Sequence, residues 1–66
     1  MRETFGVRLK KLRKQKGMSQ SELAQKVGVW QTLISRYERE EVAPTTSTLE
    51  WICKALGVSA TELLGF

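Results

Sequence analysis

The sequence contains no histidine, one proline and one cysteine, Cys53. An internal disulfide needs two cysteines and a Cys/His metal site needs several ligands, so neither can form. After Met1 there is neither an apolar run long enough to span a membrane nor the charged, apolar and small-residue succession of a signal peptide. We therefore expect a soluble protein of the reducing cytoplasm, without a metal, a cofactor, a membrane partner or an evident small-molecule site.

The length of 66 residues limits the fold to one domain, which we expect over residues 1–66. A chain this short buries only about 60% of the surface that it exposes when unfolded. Its net charge of +4 is unevenly distributed, because residues 1–17 carry seven Lys or Arg and one acid, whereas residues 18–66 carry four and six. The first segment should attract phosphate, although a charge run is also typical of a solvated helix face.

Apolar residues recur at helical spacing in five segments, and no segment alternates as a strand would. Thr4 and Thr45 can cap the first and fourth helices, and Ser59 with Glu62 can form a capping box for a short fifth helix. Gly6 would destabilise the first helix by about 1 kcal/mol relative to alanine unless it allows close packing. The expected core residues are Phe5, Leu9, Leu12, Leu23, Ala24, Val27, Ile34, Tyr37, Leu49, Ile52, Leu56 and Leu63, with Cys53 as a small core residue.

Two short helices joined by a tight turn are predicted over residues 19–38. Ser19 and Glu22 form the capping box of the first, and Gly28 follows its apolar stripe directly, where a residue without Cβ can adopt the left-handed conformation that ends a helix. In the second helix, the residues on the apolar side are Trp30, Leu33, Ile34 and Tyr37. The residues on the other side are Gln31, Thr32, Ser35 and Arg36.

The polar face of the second helix offers amide, hydroxyl and guanidinium groups. Such groups can read base edges in a major groove, because an amide matches N6 and N7 of adenine and an arginine fork matches the two acceptors of guanine. Most polar helix faces are merely solvated, however. The face alone leaves both interpretations open.

The whole chain resembles the DNA-binding domain of the phage repressor and Cro family, the bacterial XRE type of helix-turn-helix regulator. The resemblance is carried by RLKKLRKQKGMSQSELAQKVGV, ISRYE, Pro44, LEWICKALGV and TELL, in one register from Arg8 to Leu64. It implies an all-α, compact bundle of five short helices with a lambda-repressor-like fold and the helix-turn-helix at helices 2 and 3. It also implies sequence-specific binding of a double-stranded DNA operator by a bacterial or phage repressor, with the recognition helix, about residues 30–39, in the major groove.

The resemblance assigns roles to individual residues. The base-reading residues would be Gln31, Thr32, Ser35 and Arg36. The DNA-backbone contacts would be Gln20, Trp30, Arg39, Lys10 and Lys14. In the family pattern Gln20 also braces Gln31, and Arg13 and Glu38 form a buried ion pair. The helical wheel places Trp30 on the apolar side, but the family's residue there lies against the DNA backbone or a thymine methyl, so we expect Trp30 to be partly exposed at the DNA edge.

A homodimer on DNA is expected because one reading helix covers only a half-site and the family binds two-fold sites. Trp51 lies opposite the apolar stripe of the fourth helix, where a large exposed aromatic residue suggests a contact surface, although single exposed tryptophans are common. Leu64 and Phe66 are the other interface candidates, since family dimers often meet through this end.

The sequence departs from the family pattern at Glu40, where glycine usually ends the recognition helix. Either Glu40 adopts a left-handed conformation or the helix continues. In both cases Glu40 and Glu41 place two carboxylates near a loop that family members use to touch phosphate, which argues against such contacts here.

Two other classes of function were weighed against DNA binding. An enzyme is not favoured, because the chain lacks histidine, a phosphate-binding glycine loop and paired acids on a helical face. A protein-interaction or antitoxin-like module with incidental DNA affinity, presenting Trp51 and Phe66 to a partner, stays open as the alternative.

Overall fold

The computed structural model describes residues 3–65, and these residues form five α-helices and no strand. The helices are α1 (Phe5–Gln15), α2 (Gln20–Val27), α3 (Gln31–Glu38), α4 (Thr46–Leu56) and α5 (Ala60–Leu64). The all-α fold and the helix-turn-helix at α2 and α3 are as predicted. None of the helices in this part of the chain is long and apolar enough to cross a membrane.

Hydroxyl side chains cap four of the five helices: Thr4, Ser19, Thr45 and Ser59. At α2 the capping box is complete, because Glu22 N donates to Ser19 Oγ at 3.0 Å and Ser19 N donates to Glu22 Oε1 at 2.9 Å. The bond from the Ser19 backbone lowers the pKa of the Glu22 carboxyl. At α5, within the described residues, only the half in which Ser59 Oγ accepts from Glu62 N is formed.

The hydrophobic core is built from the inner faces of all five helices. Of the predicted core residues, those buried are Leu9, Leu23, Ala24, Ile34, Tyr37, Ile52, Leu56 and Leu63, together with Cys53. The others pack against this core while partly buried: Phe5, Leu12, Val27 and Leu49. The prediction of the core is therefore confirmed. Burial raises the pKa of the Cys53 thiol, which accordingly stays protonated as a small apolar side chain.

The packing of the helices supports α3 from two directions. α3 lies against both α1 and α2, α2 also contacts α4, and α5 contacts α1 and α4. Phe5 of α1 meets Tyr37 of α3 edge to face, with ring centroids 6.4 Å apart. Arg8 of α1 donates from Nε and Nη2 to the Glu62 carbonyl of α5, at 3.1 and 2.5 Å. The Phe5–Tyr37 contact holds the inner side of α3 against α1, and the Arg8–Glu62 bonds join α1 to α5.

Gly6 lies at a close approach of α1 to the end of α3. A Cβ at this position would be 2.6 Å from the carbonyl oxygen of Glu38 and 2.9 Å from that of Tyr37. Both neighbours are backbone atoms and cannot move independently of α3. Gly6 therefore allows the close approach, and the helix-propensity cost of glycine is offset by packing.

The chain leaves α3 through a left-handed residue, Glu40, with φ of 62°. Glu40 N donates to the Tyr37 carbonyl at 3.1 Å and Glu41 N donates to the Arg36 carbonyl at 2.9 Å, which is the Schellman pattern of helix termination. The helix does not continue, and of the two expected outcomes it is the left-handed conformation that Glu40 adopts. A weak hydrogen bond of 3.4 Å from Gly6 N to Glu40 Oε1 ties this turn to α1.

Candidate nucleic-acid interface

The outward face of α3 carries the residues expected to read bases. Gln31, Thr32 and Arg36 are exposed, and Ser35 is half-buried. With eight residues, α3 is about 12 Å long, and the B-DNA major groove admits an α-helix. The inner residues Ile34 and Tyr37 are buried in the core. The helix therefore presents one polar side to solvent while its other side is fixed.

Trp30 is the cap residue of α3 and is 83% exposed. The helical wheel places it on the apolar side, but its extended backbone lies just before the helix and directs the indole away from the core. The side chain of Trp30 is therefore more exposed than the partial exposure that we expected. Unlike the caps of the other helices, Trp30 gives the first backbone N–H groups of α3 no side-chain acceptor. Trp30, Thr32 and Arg36, with Leu33, line one surface depression.

A buried polar network fixes the end of α3. Arg13 Nε and Nη2 donate to the two oxygens of Glu38 at 2.6 and 3.1 Å, and Arg13 Nη1 donates to the Met18 carbonyl at 2.8 Å. The side chains of Arg13 and Glu38 are only 8% and 4% exposed. A bidentate pair of this kind fixes direction as well as distance. The expected ion pair is thus present, and it joins α1, the start of α2 and the end of α3.

Gln20 differs from the expectation. Its Nε2 donates to Glu38 Oε1 at 3.0 Å, so the amide completes the buried network and the expected brace to Gln31 is not formed. The physical reason is that an ionised carboxylate is a stronger acceptor than the neutral amide of Gln31. Gln20 is half-buried at the amino end of α2.

The basic surface of α1 is smaller than its composition suggests. Arg13 forms an ion pair with Glu38, and Arg8 and Lys11 both form ion pairs with Glu3. Lys10 and Lys14 are exposed and lie four residues apart, on one face of the helix. These two lysines, with Lys16, have no carboxylate partner among residues 3–65. Both lysines predicted to contact the DNA backbone are therefore free to meet phosphate.

Glu41 is a residue that sequence reasoning did not connect with the reading face. Its Oε1 lies 3.5 Å from Arg36 Nε, and its Oε2 lies 3.3 Å from Arg39 Nη1. No helical spacing predicts these contacts, because Glu41 follows the left-handed residue Glu40, where the chain folds back toward α3. The sequence does show the departure at Glu40, where the family pattern has glycine. It does not show that the left-handed turn at Glu40 would direct the Glu41 side chain toward α3.

The expected dimer candidates lie on the last two helices. Trp51 is 55% exposed on α4, with Lys54 Nζ 4.9 Å from the centre of its ring. Leu64 is half-buried at the end of α5. Phe66 lies outside the described residues.

Comparison with known proteins places this architecture in a family. A helix-turn-helix family model matches residues 9–63. The chain belongs to this helix-turn-helix family. The helix-turn-helix chain is 34% identical over 62 residues to the immunity repressor of Bacillus phage phi105, covering 94% of this chain and 43% of that protein. It is 43% identical over 61 residues to the regulator SinR of Bacillus subtilis, covering 91% and 55%. The chain thus spans about half the length of these two regulators.

A solved structure extends the similarity to three dimensions. The P22 c2 repressor in complex with a synthetic operator superposes with a TM-score of 0.89 at 35% identity, and the alignment covers 96% of each chain. This confirms the lambda-repressor-like fold class of the helix-turn-helix chain.

Proposed function

We propose that this chain binds a double-stranded DNA operator sequence-specifically as a transcriptional repressor in the cytoplasm, with residues 1–66 acting as one DNA-binding domain. The observation that carries the proposal is the outward face of α3, which exposes Gln31, Thr32 and Arg36 on a helix whose inner side is held by a buried network. Helix-turn-helix proteins lay their second helix in the major groove. The P22 c2 repressor, whose fold this chain shares, is seen bound to operator DNA.

The base-reading roles follow from side-chain chemistry. Arg36 presents a planar fork of donors and reads guanine through O6 and N7, and Gln31 presents a donor and an acceptor that match adenine. Thr32 contacts a thymine methyl or a base edge. Ser35 is half-buried and assists them from the same face.

The backbone contacts surround this face. Lys10 and Lys14 supply point charges whose attraction does not depend on sequence and weakens with salt. Arg39 follows the end of α3, and Trp30 precedes its start. Gln20 stands at the amino end of α2, where backbone N–H groups favour an anion. These contacts set the register of the reading helix on the duplex.

A homodimer on DNA completes the proposal, because one reading helix covers one half-site. Trp51 supports it as a large exposed aromatic residue away from the apolar stripe of α4. The test is binding to a two-fold operator. Trp51→Ala should reduce cooperativity, while Glu50→Ala, an exposed change on the same helix, should not. A monomer bound to a two-fold site would contradict the dimer.

The DNA-binding proposal is tested with duplexes selected by the wild-type chain from a random pool. Arg36→Ala should cost about 1–3 kcal/mol on the preferred duplex and relax the choice of base at one position. Lys14→Ala should weaken binding to preferred and scrambled duplexes alike. If Arg36→Ala lowered both affinities by the same factor, Arg36 would be a phosphate contact. Failure to select any duplex would contradict the proposed function.

A further inference from the structure

The carboxylate of Glu41 bridges two arginines that belong to the proposed DNA interface. One oxygen lies 3.5 Å from Arg36 Nε and the other lies 3.3 Å from Arg39 Nη1. The backbone brings Glu41 back beside α3, because Glu41 N donates to the Arg36 carbonyl and Glu40 is left-handed. The three side chains are about half exposed, at 48% for Arg36, 59% for Arg39 and 45% for Glu41. The carboxylate therefore lies between the two arginines, and all three side chains are accessible to solvent and to DNA.

We propose that Glu41 is a specificity-determining residue, which positions Arg36 for base reading and competes with DNA phosphate for Arg39. This inference rests on the proposed function and deepens it. The Glu41 carboxylate should increase the preference of the protein for its preferred duplex over other duplexes, and it should not increase the affinity itself.

The positioning of Arg36 depends on which edge of its guanidinium group Glu41 contacts. Glu41 lies against Nε of Arg36, so the two terminal nitrogens stay available for the paired acceptors of guanine. An unrestrained arginine would lose rotamer freedom on binding, and a partner that holds it beforehand lowers that cost. The restraint favours the one base whose acceptors fit the terminal fork.

The competition step concerns Arg39. A phosphate can take Arg39 only by displacing the second oxygen of Glu41, or by accepting the repulsion of that carboxylate. Non-specific binding depends almost wholly on phosphate contacts, whereas specific binding also gains base contacts. The carboxylate therefore weakens the phosphate contact of Arg39 in both kinds of binding. Because the positioning of Arg36 favours only specific binding, the two steps together lower the affinity for other duplexes while the preferred duplex keeps its gain from the base contact.

The test compares Glu41→Gln with Glu50→Gln in the whole chain. Each change removes one negative charge, but Glu50 lies exposed on α4 and makes no ion pair among residues 3–65. Binding to the selected duplex, to its variants at the base read by Arg36 and to a scrambled duplex is measured across a salt series. Circular dichroism verifies that both variants are folded.

Relative to Glu50→Gln, Glu41→Gln should bind the scrambled duplex about two- to fivefold more tightly, as expected for an exposed ion pair. Its salt slope should steepen by about 1, for one additional phosphate contact. The preference at the Arg36 base should fall by a similar two- to fivefold factor. In an Arg36→Ala background, Glu41→Gln should no longer change that preference, which a purely structural role would not predict.

Two results would overturn the inference in distinguishable ways. If the wild-type chain selects a duplex and Glu41→Gln matches Glu50→Gln in preference and salt slope, Glu41 has no such role and the proposed function stands. If the wild-type chain shows no preference for any duplex, the proposed function is wrong and this inference fails with it.

Discussion

Two arginine–glutamate pairs lie at the carboxyl end of α3, one in the interior and one at the surface. Arg13 and Glu38 are 8% and 4% exposed and joined by two hydrogen bonds of 2.6 and 3.1 Å. Arg36 and Glu41 are 48% and 45% exposed, and their closest atoms are 3.5 Å apart. The same two side-chain types therefore meet in opposite surroundings within one turn of the helix.

The difference teaches what each pair can do. A buried charge that loses its partner is strongly destabilising, so the Arg13–Glu38 pair fixes the position of α3. An exposed pair contributes little to stability, because water and salt compete with it, so the Arg36–Glu41 pair can exchange partners. The inner pair determines where the reading helix is, and the outer pair affects what it binds.

Breaking the inner pair should have the largest effect on stability. Arg13→Ala leaves Glu38 buried with Gln20 as its remaining partner among residues 3–65, which should cost about 3 kcal/mol. For a domain of this size, such a loss lowers Tm by more than about 10 °C. Thermal unfolding followed by circular dichroism measures it. Lys14→Ala, an exposed neighbour on α1, is the control, and equal melting temperatures for the two variants would contradict the structural role of the pair.

The backbone contact beside the inner pair gives the next largest effect. In Gly6→Ala the new methyl group would meet the carbonyl oxygens of Glu38 and Tyr37 at 2.6 and 2.9 Å. Overpacking of this kind typically costs about 1–3 kcal/mol, which exceeds the helix-propensity gain of about 1 kcal/mol at the upper end. We expect a net loss in urea unfolding. Gln15→Ala, at the exposed end of α1, should show only the propensity effect, and an equal response of both variants would mean that α1 and α3 can separate at little cost.

The inner half of the molecule could largely be predicted from the sequence. Helical periodicity identified the core, and local hydrogen-bonding chemistry identified the caps at Ser19 and Thr45, because both signals depend on neighbours close in sequence. The Arg13–Glu38 pair, 25 residues apart, came only from the family resemblance. No spacing rule could have given it.

The outer half was less predictable. Gln20 was assigned to Gln31, but it donates to Glu38, because the stronger acceptor is close in space and not in sequence. The Glu41 bridge depends on a left-handed residue that the sequence left undecided between two conformations. Side-chain partners across a turn follow from backbone direction, and here a single residue sets that direction.

That residue, Glu40, supports a smaller prediction. Its φ of 62° disfavours any side chain with a Cβ, while glycine adopts it freely. Glu40→Gly and Glu40→Ala both remove the carboxylate that accepts from Gly6 N, so the difference between them isolates the backbone. The glycine variant should be the more stable by about 1 kcal/mol in urea unfolding. Equal stabilities would show that the turn carries no backbone strain.

The smallest expected effect on stability comes from a change in the Arg36–Glu41 pair. The same change, glutamate to glutamine, can be made in the Arg13–Glu38 pair, so the two pairs can be compared directly. Glu38→Gln and Glu41→Gln each replace a carboxylate by an amide of the same shape, one in the interior and one at the surface. Glu38→Gln leaves the Arg13 guanidinium buried without a counter-charge and should cost about 3 kcal/mol. Glu41→Gln removes an exposed, screened attraction and should change the free energy of unfolding by less than about 0.5 kcal/mol, a difference that shrinks further in high salt. Thermal unfolding of both variants at low and high salt measures the contrast. A loss for Glu41→Gln as large as that for Glu38→Gln would mean that the bridge to Arg36 and Arg39 holds the end of α3 in place, and the two pairs would then share one structural role.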